Sequence, residues 1–101
     1  MKTVPHIPPA WKNISDLFVA LGDEHRQRIL LSFEPGERIS IGDIAATMPL
    51  SRTAVTHHLK VLEHGGVLKS EKVGKEVRFY INKAHMQEAL SSVLEFIDHN
   101  I

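Results

Sequence analysis

Within the stretch SRTAVTHHLKVLEH, Thr53, Thr56, His57 and Lys60 are the residues whose types and spacing can do chemistry. On a helix advancing 100° per residue they share one side, with His64. Val55, His58, Leu59 and Leu62 fall on the other side, facing a core. Short hydroxyls, an imidazole and one cation can hydrogen-bond base edges or phosphates without holding a duplex away. Thr53, Thr56 and His57 suit base edges, and Lys60 suits phosphate. Ser51 is a natural N-cap, and the first N–H groups at Ser51 and Arg52 can hold a backbone phosphate. The bare pattern also describes a helix face in plain water, so the neighbouring elements must decide.

Those neighbours are informative. Upstream, Ile41, Ile44 and Ala45 begin a short helix that cannot pass Pro49, and Met48-Pro49-Leu50 makes a tight connection to Ser51. Two helices so joined have the helix-turn-helix layout, whose second helix enters the major groove. Downstream, His64-Gly65-Gly66 stops the helix, and the apolar period changes from 3.6 to 2. VLKSEKV and EVRFYIN read as strands around Gly74-Lys75, a pair suited to a tight hairpin. Lys72, Lys75 and Arg78 cluster at that turn, as a basic wing on the DNA backbone would require. A basic hairpin alone is also an ordinary soluble edge; helix-turn-helix followed by basic wing is far more specific.

Charge follows the same division. Twelve Lys/Arg balance twelve Asp/Glu over 101 residues. Residues 51–85 nevertheless hold Arg52, Lys60, Lys69, Lys72, Lys75, Arg78 and Lys83 against Glu63, Glu71 and Glu76. A local basic field, not the total, is what attracts phosphate. There is no cysteine, so disulfides, thiolate metal sites and cysteine nucleophiles are excluded. No spacing supports a Ser-His-Asp arrangement or a Gly-rich phosphate loop, so the residues offer no catalytic reading and imply no cofactor. Of seven histidines, His58 belongs on the core side as a hydrogen-bonded residue, His57 on the exposed side, and His25 near the start of a helix.

The remaining elements complete one domain. Residues 1–12 form a Pro-rich arm that Trp11 can anchor, and residues 13–101 form the body. Ile14, Leu17, Phe18 and Leu21 mark a first amphipathic helix stopped by Gly22. Asp23 caps a second helix running through Ile29, Leu30 and Phe33 to Pro35-Gly36. Ile39 to Ile41 is a short β-branched strand. Residues 84–99 form a last helix with a broad apolar surface, from Met86 through Leu90, Val93, Leu94 and Ile97. The expected fold is mainly α with a small β-hairpin, a dimeric winged helix-turn-helix in the order α-α-β-α-α-β-β-α. The N-terminus lacks a secretory signal and no run spans a bilayer, so the expected location is cytoplasmic, without membrane contact.

The stretch LFVALGDEHRQRILLSF resembles the signature written "aLsdptRl.IL" of the arsenic-repressor type (ArsR/SmtB-like) regulators. LSRTAVTHHLKVLEHGGVLKSEKVGKEVRFY resembles that family's "qstvShHLkvLr.aGLv...r.Gr...Y". The resemblance covers roughly residues 14–98. It implies a symmetric homodimer with the first and last helices at the interface, here Leu17, Phe18, Leu90, Val93, Leu94 and Ile97. The width of the last helix's apolar surface points the same way. It also implies a repressor that binds an inverted repeat in double-stranded DNA and releases it to an effector. The family's Cys-x-Cys metal site falls on Ser40 and Gly42 here, so it cannot form as usual. Its second metal site falls on Lys83, His85, Phe96 and His99, two of which are unsuitable ligands; His85 with Glu88, or Glu95 with His99, keeps an atypical pair open. A small-molecule effector between the first and last helices is another reading. A winged-helix protein-docking module without DNA contact is the rival function, and it would carry exposed aliphatics or aromatics on the recognition face.

Overall fold

The computed structural model describes all 101 residues. A single 3-10 turn at Pro9–Trp11 precedes α1 (Ile14–Leu21), α2 (Glu24–Leu31), β1 (Ile39–Ser40), α3 (Ile41–Ala46), α4 (Arg52–His64), β2 (Leu68–Val73), β3 (Glu76–Ile81) and α5 (Lys83–Asn100). The starts of α2, α3 and α4 are set by side-chain caps. Asp23 accepts the Arg26 N–H at 3.1 Å, Ser40 the Asp43 N–H at 3.2 Å, and Ser51 the Ala54 N–H at 3.1 Å. Each satisfies a donor that the helix itself leaves free. The second helix stops at Leu31, earlier than Phe33, because Ser32 already turns its N–H and hydroxyl back to the Ile29 carbonyl.

The three strands form one antiparallel sheet in the order β1-β3-β2. Leu68 pairs with Ile81, Ser70 with Phe79 and Lys72 with Val77, while Ile39 pairs with Phe79 from the other edge. Phe79 is buried, so its alternation partners Glu76, Arg78 and Tyr80 face away from the core. Gly74, at φ 64°, makes the hairpin turn.

The core is formed by Ile14, Leu17 and Ala20 of α1, Ile29 of α2, Ile44 of α3, Val55, Leu59 and Leu62 of α4, Val67, Leu68, Phe79, and Ala89 of α5. It is small for the chain: thirteen of 101 residues are buried, while Phe18, Val19, Leu94, Phe96 and Ile97 remain exposed. The arm is tied down by Trp11, whose ring meets Phe96 edge-on at 5.7 Å.

Where α4 ends, it passes very close to α1 and α5. A Cβ added to Gly65 would lie 2.7 Å from the Asp16 carbonyl oxygen, and one added to Gly66 would run into the His85 ring. Gly66 also has φ 75°, as does Gly36, which has open space around it. Gly36→Ala therefore carries only backbone strain of about 1–2 kcal/mol. Gly66→Ala carries that strain plus a clash, and should lower the melting temperature clearly more than Gly36→Ala in parallel thermal denaturation.

Candidate nucleic-acid interface

Helix α4 is held by one face and open on the other. Val55, Leu59 and Leu62 are 0% exposed. Thr53, His57 and Lys60 are exposed and Thr56 is half-buried. None of the large exposed apolar side chains lies on α4, so its outward face offers polar chemistry alone. At its N-terminus the Ser51 hydroxyl is the cap, and Arg52 stands exposed beside it. His64 is the exception on this stripe: its Nε2 lies 3.5 Å from Asp16 of α1, so it is engaged at the far end.

The wing joins α4 through Ser70, whose hydroxyl donates to Glu63. Lys72 follows Ser70 on the same face of β2 and is exposed, as is Lys75 at the turn. An open cleft of about 570 Å3 separates the hairpin tip from the start of α3, and Arg52 and Lys75 line its walls with Ser40, Gly42, Val73 and Glu76. Arg52 at the start of α4 and Lys75 at the wing tip thus share one cleft, and Lys72 is exposed on β2. Arg78 projects from the opposite face of the sheet to Lys72, where its Nε donates to Glu76 at 2.9 Å. The same outer face carries Arg38 stacked 4.1 Å over the Tyr80 ring and paired with Glu71 at 3.1 Å.

The expected dimer residues divide as well. Phe18 is 48% exposed, Leu94 59% and Ile97 47%. Leu90 and Val93 are half-buried. Leu17 must be removed from that set: it is 0% exposed inside its own subunit, because α1 turns Ile14, Leu17 and Ala20 together onto α4 and α5. The candidate metal pairs lie apart. His85 and Glu88 line a cavity of about 120 Å3 with Pro9, Asn13, Ile14 and Ala89, whereas Glu95 and His99 border the groove holding Trp11 and Phe96. No three His, Asp or Glu side chains converge to hold an ion.

Periodicity did not reveal Arg26. Its Nε donates to the Ala20 carbonyl at 2.9 Å and its Nη2 to the Val19 carbonyl at 3.0 Å, while Nη1 meets His58 Nδ1 at 3.2 Å. The Arg26 backbone N–H holds the Asp23 carboxyl below its ordinary pKa, and burial pushes that of His58 down. The sequence signals were the Asp23 N-cap three residues before it and the R of the signature "aLsdptRl.IL", which falls on Arg26.

This arrangement, a capped helix with a polar outward stripe beside a basic hairpin, defines the winged helix-turn-helix class. Residues 21–71 match a family model described as a helix-turn-helix domain. The chain is 27% identical over 85 residues to the transcriptional repressor SdpR of Bacillus subtilis, spanning 84% of this chain and 93% of that one. It is 27% identical over 89 residues to a transcriptional repressor SmtB homolog of Synechocystis, spanning 88% and 67%. An ArsR-like transcriptional regulator from Rhodococcus superposes with a TM-score of 0.78 at 28% identity, over 88% of this chain and 83% of that one. The chain belongs to the helix-turn-helix domain family, and within it to the ArsR/SmtB-type transcriptional regulators.

The cap that starts the recognition helix can be tested without DNA. Ser51→Ala removes the acceptor for the Ala54 N–H and should cost about 1 kcal/mol in denaturant unfolding, whereas Ser51→Asp should retain most of the stability.

Proposed function

We propose that the protein is a transcriptional repressor that binds double-stranded DNA as a homodimer. The observation that carries the reading is the exposure of the α4 stripe together with the cleft that Arg52 shares with the wing's Lys75. Thr53, Thr56 and His57 read base edges in the major groove. Ser51 and Arg52 at the helix start, with Lys60, Lys72 and Lys75, hold phosphates. Arg78, committed to Glu76 on the outer face, has a minor part. A protein-docking role is disfavoured because no large apolar side chain is exposed on α4. The reading needs no catalytic residue, and it places the protein in the cytoplasm; no helix is long and apolar enough to cross a membrane.

Dimerisation is supported by the apolar surface left uncovered. Leu94 and Ile97 stand on the side of α5 away from Trp11, and Phe18 is exposed on α1. A small core beside such surface gains by self-association. A two-fold dimer would read half-sites about one DNA turn apart. A small effector acting at the α1–α5 junction, where the His85 cavity lies, would release the DNA.

Genomic DNA selection with the purified protein, with and without added metals, should enrich an inverted repeat; recovery of no sequence would sink the proposal. On an enriched site, Lys75→Ala and Lys72→Ala should each reduce the steepness of log K against log salt by about 0.9 for every phosphate no longer neutralised. Arg78→Ala should change it much less. Light scattering should find a dimer, and Leu94→Glu should halve the mass while leaving the far-UV spectrum of a folded subunit.

A further inference from the structure

The hydrogen bonds of Arg26 bring together three elements that the DNA-binding reading treats separately. Its side chain donates twice to the last carbonyls of α1 and once to His58 on the buried side of the recognition helix. An arginine has donors only. His58 Nδ1 must therefore offer its lone pair, which leaves the imidazole neutral with its proton on Nε2. A protonated His58 has no lone pair to offer and would set a second cation beside the guanidinium.

We propose that Arg26 is a positioning residue for the recognition helix, holding α4 to the end of α1 through neutral His58 and loosening it when His58 is protonated. The proposal rests on the DNA-binding reading above. Around His58 stand Asp23, His25 and Arg26 from α2 and His57 from α4 itself, while α1 contributes the backbone carbonyls of Val19 and Ala20. The His25 ring lies 5.7 Å away and the His57 ring 5.9 Å. His25 Nδ1 is buried without a hydrogen-bond partner, so this side of the cluster is shielded from water. Burial lowers the His58 pKa first; Asp23 opposes that, and Arg26, His25 and His57 add to it. The sign follows from linkage. The unfolded imidazole takes up its proton near the ordinary value of about 6.5, before the folded one does, so the strut is intact at neutral pH and weakens as pH falls from there through the lowered folded value.

The test compares wild type, His58→Asn and Arg26→Gln. Asparagine Oδ1 can accept from Arg26 where Nδ1 does, but it does not titrate. With a DNA fragment recovered by genomic selection at pH 8, anisotropy titrations from pH 8 to 5.5 at fixed ionic strength should show wild type losing affinity relative to His58→Asn. The loss should approach tenfold per pH unit at most. Parallel profiles for the two proteins would overturn the proposal, because the other histidines are common to both. Without DNA, NMR should show the amides of residues 53–64 shifting with the His58 titration in wild type and staying fixed in His58→Asn. The His58 midpoint should rise in Arg26→Gln; an unchanged midpoint, or α4 amides indifferent to His58, would equally overturn it. If no protein binds DNA even at pH 8, the DNA-binding reading fails, and the NMR comparison still decides whether Arg26 and His58 position α4.

Discussion

Everything the molecule can do to DNA depends on the burial of Val55, Leu59 and Leu62. These side chains fix the rotation of α4 about its own axis. Turning the helix by one residue would move an apolar side chain into water and a threonine into the core, at a cost of about 1.5–3 kcal/mol for each large side chain removed from the interior. The polar stripe of Thr53, Thr56, His57 and Lys60 is therefore aimed by hydrophobic packing on the opposite side. The glycine pair at the end of α4 has the same effect along the axis. Gly65 lets the helix approach the Asp16 carbonyl, and Gly66 accepts the His85 ring, so the helix end is seated against α1 and α5 together.

Those features that depend on a few adjacent residues were legible in the sequence. Asp23 and Ser51 could be read as N-caps because capping needs only a short polar side chain within reach of an N–H three residues on. The Gly74 hairpin and the alternation of Val77, Phe79 and Ile81 are equally local. The helix-turn-helix and its basic wing were legible because several such signals occur in one fixed order. Leu17 shows the limit. An amphipathic pattern says that a helix has an apolar face, and it cannot say whether that face meets its own subunit or another. Leu17 and Phe18 are adjacent and differ by 100° on the helix, and the fold buries one and exposes the other. Only the packing against α4 and α5 decides which.

Arg78 shows a second limit. As a residue type at the hairpin it is equivalent to Lys72, and both add to the local positive charge. Alternation puts them on opposite faces of the sheet, because Arg78 neighbours the buried Phe79 whereas Lys72 pairs with Val77. The outer face then gathers cations and acids into neutral pairs, Arg78 with Glu76 and Arg38 with Glu71. Such exposed pairs add little stability. Their larger effect is on the field, since they cancel positive charge on the side away from α4. Lys69, exposed and unpaired, stays on that face, so the pairs reduce its positive field without abolishing it.

The zero net charge, the thin core and the exposed apolar helices then express one design. A strongly basic chain would bind any duplex through counterion release, with little discrimination. With the total charge at zero, the cations Arg52, Lys60, Lys72 and Lys75 give each subunit a modest electrostatic attraction, to which base contacts must add. Two subunits double that attraction only when both stripes meet the duplex in the right register. In the proposed dimer, the exposed Leu94, Ile97 and Phe18 set that register. In this arrangement α1 serves both ends: its exposed Phe18 belongs to the proposed subunit contact, and its last carbonyls receive Arg26. Arg26 thereby ties the end of α1 to His58, within the proposed recognition helix.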